Sequence, residues 1–86
     1  MPVISYFFGI AVKMFFEDHA PPHVHAEYGE FEVLLTIDTI SVYKGHAPRR
    51  VIELVSEWIR EHQAELAANW EHCRRHEKPK SIAPLE

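Results

Sequence analysis

The sequence has few of the residues on which several common functional sites depend. Its 86 residues include a single cysteine, Cys73, so the chain has neither an intrachain disulfide nor the paired cysteines of a zinc ribbon. Only three glycines are present, which leaves no glycine-rich loop to hold a phosphate. The GxSxG and HExxH motifs of hydrolases are absent as well. Any enzymatic function must therefore rest on histidine and carboxylate chemistry.

A surplus of positive charge and a long apolar run are also missing. The formal net charge at pH 7 is −4, so the chain lacks a basic footprint and direct nucleic-acid binding is not expected. No apolar run approaches the roughly 18 residues of a transmembrane helix, and the N-terminus lacks the basic head of a signal peptide. Together with the unpaired cysteine, these absences predict a cytoplasmic protein that has no membrane contact.

The pattern of apolar residues changes its period near Pro48. Before this residue, short runs rich in β-branched and aromatic residues are typical of strands. We place these strands at residues 3–8, 10–16, 23–28, 31–38 and 40–43. After it, apolar residues recur at three- and four-residue steps as far as Cys73. This second pattern predicts one long helix, or two helices with a bend near His62 and Gln63.

These patterns predict an α+β fold in a single domain, residues 1–86. A small, largely antiparallel β-meander of about five strands occupies segment 3–44. A C-terminal helix or helical pair in segment 48–76 packs on one face of this sheet, and Trp58 and Trp70 anchor the core. The tail, 77–86, is expected to dock through Ile82 and Leu85. The other face of the sheet is expected to carry the histidines.

Turn residues allow the strand registers to be predicted. A turn at Phe8-Gly9 pairs the first two strands, although phenylalanine is poorly suited to positive φ. A type II′ turn at Gly29-Glu30 pairs the third and fourth strands. A turn at Asp38-Thr39 pairs the fourth and fifth. The resulting pairs are Phe7 with Ile10, Ser5 with Val12, Tyr28 with Phe31, Ala26 with Val33, Val24 with Leu35, Glu27 with Glu32, His25 with Leu34, His23 with Thr36, Leu35 with Val42, and Ile37 with Ile40.

The stretch 18–28, DHAPPHVHAEY, is the candidate functional site. Strand alternation places His23, His25 and Glu27 on one face, with the two histidine Cα atoms about 7 Å apart. Such a pair suits a divalent transition metal such as zinc, at about 2.0–2.1 Å per nitrogen. The third ligand of a two-histidine, one-carboxylate set would be Glu27, Glu32, Asp18 or His19. Hydrogen-bonded surface histidines and general acid–base catalysis are the alternatives.

Two further groups of residues have a functional and a structural interpretation. Arg49 and Arg50 begin the helical region, where they would bind an anion or form a solvated pair. His72 and His76 have the i,i+4 spacing of helical metal ligands, but a charged terminal helix usually exposes such residues to solvent.

The chain resembles the bacterial family called domain of unknown function 4160. The motifs that carry the resemblance are Pro2-x-Ile4-Ser5, Phe8-Gly9-Ile10, the DHxPPHxHAEY core from Asp18 to Tyr28, Pro48-Arg49-Arg50, and Glu65-Leu66 with Asn69-Trp70. The resemblance implies a small cytoplasmic bacterial protein. Its gene is expected beside one for another small uncharacterised protein, as in toxin–antitoxin pairs. The family has no established activity and assigns no catalytic residue.

Two hypotheses of different classes follow. The first is a protein-binding module, one member of a toxin–antitoxin-like two-gene pair, which contacts its small partner through the histidine face and the Pro-Pro loop. A homodimer through the same face is a related alternative. The second is a histidine-based or metal-dependent hydrolase, most plausibly a nuclease, in which Arg49 and Arg50 hold a phosphate. Its catalytic candidates are Asp18, His19, His23, His25 and Glu27, and its metal ligands are His23, His25 and Glu27.

Overall fold

A computed structural model describes residues 2–16 and 18–86 of the protein, and within them five strands precede two helices. The elements are β1 (Val3–Phe7), β2 (Ile10–Lys13), β3 (His23–Tyr28), β4 (Phe31–Thr36), β5 (Val42–His46), α1 (Arg49–Glu61) and α2 (Gln63–Arg74). The strands form one antiparallel sheet in sequence order. The predicted α+β meander is confirmed, and its helical region consists of two helices separated at His62.

The predicted registers of the first two hairpins are confirmed. Phe7 pairs with Ile10 and Ser5 with Val12, and all six predicted pairs between β3 and β4 are present. Phe8 takes a φ of 51° in the first turn, a left-handed conformation that is strained for a bulky residue. Gly29 has a φ of 56° at the first turn position, as a type II′ turn requires.

The core lies between one face of the sheet, the two helices and the C-terminal tail. Trp58 is fully buried, its ring lies 5.5 Å from that of Phe7, and its Nε1 donates to the carbonyl oxygen of Ala83 at 2.8 Å. Ile82 and Leu85 are buried, and the backbone N–H of Ile82 donates to the carbonyl oxygen of Ile4 on β1 at 2.8 Å. The tail therefore docks against the sheet, as predicted.

The predicted limits of the fifth strand are wrong at both ends. The prediction was residues 40–43, whereas β5 is Val42–His46. Its start is delayed because the hydroxyls of Thr36, Thr39 and Ser41 hydrogen-bond one another and close a longer connection. Val42 pairs with Leu35 as predicted, but Thr36, not Ile37, is bonded across the connection, to Ser41.

Gly45 explains why β5 continues past the predicted stop. A Cβ atom at this position would collide with the carbonyl oxygen of Glu32 on β4. The glycine, at a φ of 81°, allows the two backbones to approach closely. The register between Leu34 and Leu35 is irregular, and Tyr43 is the residue of β5 that has no partner there. The glycine therefore permits the strand instead of ending it.

The prediction that the histidines lie on an uncovered sheet face is wrong for His23. This residue is only 2% exposed. The ring of Trp70 on α2 lies 5.3 Å from the His23 ring, and the ring of Tyr43 on β5 lies 5.4 Å from it. Both tryptophans are buried, as predicted. Trp70 thus covers the first histidine of the motif.

Within residues 2–16 and 18–86, neither helix has the length and the hydropathy that a helix needs to cross a bilayer.

Candidate metal centre

The connection between β2 and β3 and the first residues of β3 build the site. Pro22 ends the connection, and its carbonyl oxygen accepts a hydrogen bond from the backbone N–H of Ile37 at 3.0 Å. This bond fixes the start of β3 beside the end of β4. His23 and His25 then point to the same face because strand side chains alternate. Asp18 reaches this face from the connection.

One carboxylate oxygen lies between the two imidazoles. Oδ2 of Asp18 is 2.8 Å from Nε2 of His25 and 3.1 Å from Nε2 of His23. The two rings are 5.1 Å apart between centroids. One ligand atom from each of the three residues falls within 4.8 Å of the others, and this is the one such group in the described parts of the chain. The spacing fits three ligands of a single ion.

The outer nitrogen of each imidazole already has an acceptor. Nδ1 of His23 lies 2.7 Å from the carbonyl oxygen of Pro21, which can only accept, so this nitrogen carries the proton. Nδ1 of His25 lies 3.2 Å from Oε2 of Glu32. Outer acceptors of this kind orient metal-binding histidines and leave the Nε2 lone pair free to ligate. The two outer acceptors therefore orient both rings so that their Nε2 atoms face Asp18.

Nε2 of His23 is a buried polar atom without a hydrogen bond. It is close enough to Asp18 for an ion pair, at 3.1 Å, but the arrangement fails the angular requirements of a hydrogen bond. Buried nitrogen atoms without a partner are rare, because they lose hydration and gain nothing in return. A cation between Nε2 and the carboxylate would satisfy both groups.

The electrostatics of Asp18 favour its ionised form. Burial alone would raise the pKa of this carboxyl group. The hydrogen bond with His25, the backbone N–H of His19 and the electrostatic interaction with the two histidines together outweigh burial and lower the pKa below its usual value. A carboxylate that stays ionised is the form that binds a metal ion.

The structure does not bring every candidate of the motif into the cluster. Oε1 of Glu27 accepts a hydrogen bond from Nζ of Lys13 at 2.9 Å. His19 contributes its backbone N–H, which donates to Oδ1 of Asp18 at 2.9 Å. Glu32 lies behind His25 as the acceptor of its Nδ1. The carboxylate at the centre thus comes from the connection before β3.

The same contacts offset the repulsion between Glu27 and Glu32, two carboxylates that are directly paired across β3 and β4. Lys13 is the cation beside Glu27, and His25 is the group beside Glu32. In the register of β2 and β3, Lys13 is directly opposite His25. Glu27 is the next residue after His25 on the same face of β3, so the side chain of Lys13 can reach it. Sequence reasoning missed Lys13 because the connection before β3 left this register open.

The arginine pair lies on an exposed turn and pairs within its own helix. The side chains of Arg49 and Arg50 are 93% and 76% exposed. Each lies within 4.0 Å of Glu53. Within residues 2–16 and 18–86, neither arginine forms an ion pair with Asp18. The solvated interpretation agrees with these contacts.

A cleft of about 330 Å³ adjoins the cluster between the β2–β3 connection and α2. The residues that line it are Asp18, Ala20, Pro22, Trp70, Glu71 and Arg74. Nη1 of Arg74 lies 3.2 Å from Oε1 of Glu71, so a guanidinium and a carboxylate share its rim. Sequence reasoning missed Trp70 as a neighbour of His23. Its position on the apolar side of α2 indicated burial, but not which strand it covers.

Comparison with known proteins gives one match. No curated protein and no solved structure matches the chain. A family model matches residues 9–71, a segment that includes Asp18, His23, His25 and Trp70. Because this match spans more than half of the chain, the protein belongs to the family described as Domain of unknown function (DUF4160).

Proposed function

We propose that the protein binds one divalent transition metal ion through Oδ2 of Asp18 and the Nε2 atoms of His23 and His25. The observation that carries this proposal is the pair of outer acceptors. Pro21 and Glu32 hold the two Nδ1 atoms, so both Nε2 atoms converge on one carboxylate oxygen. Two imidazoles and one carboxylate suit zinc among the common ions.

The alternative without an ion places an unusual demand on His25. Both of its nitrogens face carboxylates, at 2.8 Å and 3.2 Å, so the ring would have to donate from both and carry a charge. Nε2 of His23 would still lack a hydrogen bond. A metal ion removes both problems, because each Nε2 then donates its lone pair to the ion. Metal binding would release the Nε2 proton of His25.

Three protein ligands would leave room at a bound ion for water or a substrate, as in catalytic zinc sites. A zinc ion held there would supply an activated water for hydrolysis at neutral pH. The function we infer is therefore that of a metal-dependent hydrolase, with the adjoining cleft as its substrate site. Arg74 is the guanidinium on that cleft, whereas Arg49 and Arg50 pair with Glu53.

Zinc titration of the untagged protein tests the metal site, with affinity measured by competition against a chromophoric chelator. We expect one equivalent to bind, with proton release seen by calorimetry in buffers of different ionisation enthalpy. Asp18→Asn and His25→Gln should each weaken binding by more than about 100-fold, beyond the 10- to 100-fold loss typical of outer partners. Cobalt substitution should show the visible absorption of a low-coordinate site in the wild type but not in Asp18→Asn or His25→Gln.

Glu27→Gln is the matched control, because it removes a carboxylate of the same motif that lies outside the cluster. It should bind zinc as the wild type does. Less than about one tenth of an equivalent bound by the wild type would refute the metal site, since a preformed site binds stoichiometrically. An equal loss in Asp18→Asn and Glu27→Gln would assign the effect to general charge.

A protein-binding module is the second candidate function. We now place its contact surface at the β5 edge and no longer at the histidine face. Burial of His23 beneath Trp70 argues against the histidine face as the contact. The observation that favours a protein partner is instead the open edge at β5, where all five residues are exposed. Membership of a toxin–antitoxin-like pair stays a prediction from the family resemblance.

A further inference from the structure

The two edges of the sheet differ in what contacts them. β1 forms one edge, and the C-terminal tail reaches it through the hydrogen bond from Ile82 to Ile4. β5 forms the other edge, and every one of its residues is exposed. An open edge presents unpaired backbone N–H and C=O groups to which another strand can bond.

The segment that follows this edge carries a concentrated positive charge. Residues 42–50, VYKGHAPRR, contain three basic side chains, one histidine and no acid. The rest of the chain has six basic side chains and all thirteen acids. Arg49 and Arg50 pair with Glu53 on α1, whereas Lys44 makes no ion pair with any residue that the structure describes. The positive charge of Lys44 on the edge strand is therefore available to a partner.

Apolar side chains accompany this charge on β5. Val42 is 47% exposed and Tyr43 is 48% exposed. Strands of this length that lack a neighbour usually carry features that discourage pairing with a like strand, such as lysines, prolines or bulges. β5 has one lysine and an irregular register at Tyr43, and it has no proline. The combination suits a partner strand in which acidic and apolar side chains alternate.

We propose that β5 binds an extended acidic segment of another protein as a sixth strand of the sheet. Backbone hydrogen bonds along the edge would supply affinity, as in other cases of strand addition. Acidic side chains facing Lys44 and His46 would set register and selectivity. The inference does not rest on the metal centre, because none of the three candidate ligands lies on β5, although Tyr43 contacts His23.

Charge distinguishes this occupant from a second copy of the chain. An antiparallel pair of β5 strands centred on Lys44 would place two lysines directly opposite each other, which destabilises a sheet. Charge also disfavours a nucleic acid, because the acids elsewhere would repel a long polyanion. A short acidic strand avoids both penalties.

Two pools of synthetic ten-residue peptides test the proposal. In both pools Val, Ile, Thr and Tyr are randomised at alternate positions; the intervening positions are Glu in one pool and Lys in the other. We expect the Glu pool to shift the backbone amide NMR signals of β4 and β5 and leave β1 unchanged. Binding should weaken on raising the salt concentration from about 0.05 M to 0.5 M, because exposed charges are screened. The Lys pool should cause no shift.

Lys44→Glu and Lys78→Glu form a matched pair of variants with the same change in charge. We expect Lys44→Glu to weaken binding of the Glu pool by about tenfold, as a like charge across an interface costs affinity. Lys78→Glu, in the tail, should bind like the wild type. Fluorescence anisotropy of labelled pools gives the affinities, and melting curves show whether each variant is folded.

Several outcomes would overturn the proposal. These are equal shifts with both pools, shifts confined to residues outside β4 and β5, no shift with either pool at millimolar peptide, or equal losses in the two lysine variants. A concentration-dependent dimer that protects β5 amides from exchange would identify a second copy as the occupant. Binding of poly-uridine at this edge in place of the Glu pool would identify a nucleic-acid site.

Discussion

Two histidine pairs in this chain have spacings that suit a metal ion, and the fold brings only one of them together. His23 and His25 lie on one strand face, and their Nε2 atoms both approach Asp18. His72 and His76 would lie on one face of a continuous helix. However, α2 ends at Arg74, and His76 has a φ of 60°, which places it outside the helix.

The sequence spacing of two histidines therefore predicts a shared metal ion only where one strand or helix continues through both residues. Nδ1 of His72 instead lies 2.8 Å from Oε1 of Glu77, beyond the end of the helix. The neighbouring Cys73 is buried, and burial raises the pKa of its thiol, so it stays protonated. The strand pair has in addition a third ligand and two outer acceptors. Orientation of the rings therefore separates a candidate site from a pair of surface histidines.

The largest effect should come from Trp70, which covers the first pair from the helix that carries His72. We expect Trp70→Ala to lower the free energy of unfolding by about 3–5 kcal/mol, because it leaves a cavity beside His23. Denaturant unfolding measures the change. Tyr43→Ala removes the other ring beside His23 from an exposed position and should cost about 1 kcal/mol or less. Equal losses in the two variants would contradict the view that α2 supports the site.

A smaller effect should come from the groups that accept hydrogen bonds from the Nδ1 atoms of the two pairs. Glu32→Ala should weaken zinc binding by about 10- to 100-fold, because Glu32 orients His25. Glu77→Ala removes the corresponding acceptor of His72 and should leave zinc affinity unchanged. Chelator competition measures both affinities. A loss in Glu77→Ala alone would move the metal site to the C-terminal pair.

The smallest effect concerns the ionisation of Glu77. The hydrogen bond with His72, followed by that with Arg75, lowers the pKa of this carboxyl group. Its contribution to stability is therefore present above the unfolded value of about 4.3 and lost as the pH falls through the lower folded value. His72→Gln should raise the pKa, as measured by carboxyl NMR titration. An unchanged pKa would show that His72 and Glu77 do not interact in solution.

Local patterns predicted most of the fold. Alternation and turn glycines gave the registers of two hairpins, because side chains in strands have a period of two and tight turns leave one register. The fifth strand was misplaced because hydroxyl bonds among Thr36, Thr39 and Ser41 lengthen the preceding connection. Such side-chain bonds to local groups leave no periodic signal.

The candidate site was predicted less completely than the fold. The two histidines follow from strand alternation, and Asp18 was one of four candidates for the third ligand. Glu27, which shares their face, was preferred, but its partner is Lys13. A residue in a connection has no face assigned by a period, so the approach of Asp18 depends on the path of the chain. The cover over His23 depends likewise on how α2 crosses the sheet.

The docking of the tail against β1 has a consequence for assembly. The backbone N–H of Ile82 donates a hydrogen bond to the carbonyl oxygen of Ile4 on β1. The side chain of Asn69 donates to the carbonyl oxygen of Lys80 and accepts from its N–H. These bonds hold the tail at the β1 edge. Of the two edges of the sheet, β5 is therefore the one that is open to an added strand. Pairing of β5 with β1 of a second copy, head to tail, would require the tail to leave this edge. The docked tail thus opposes the addition of a strand at β1.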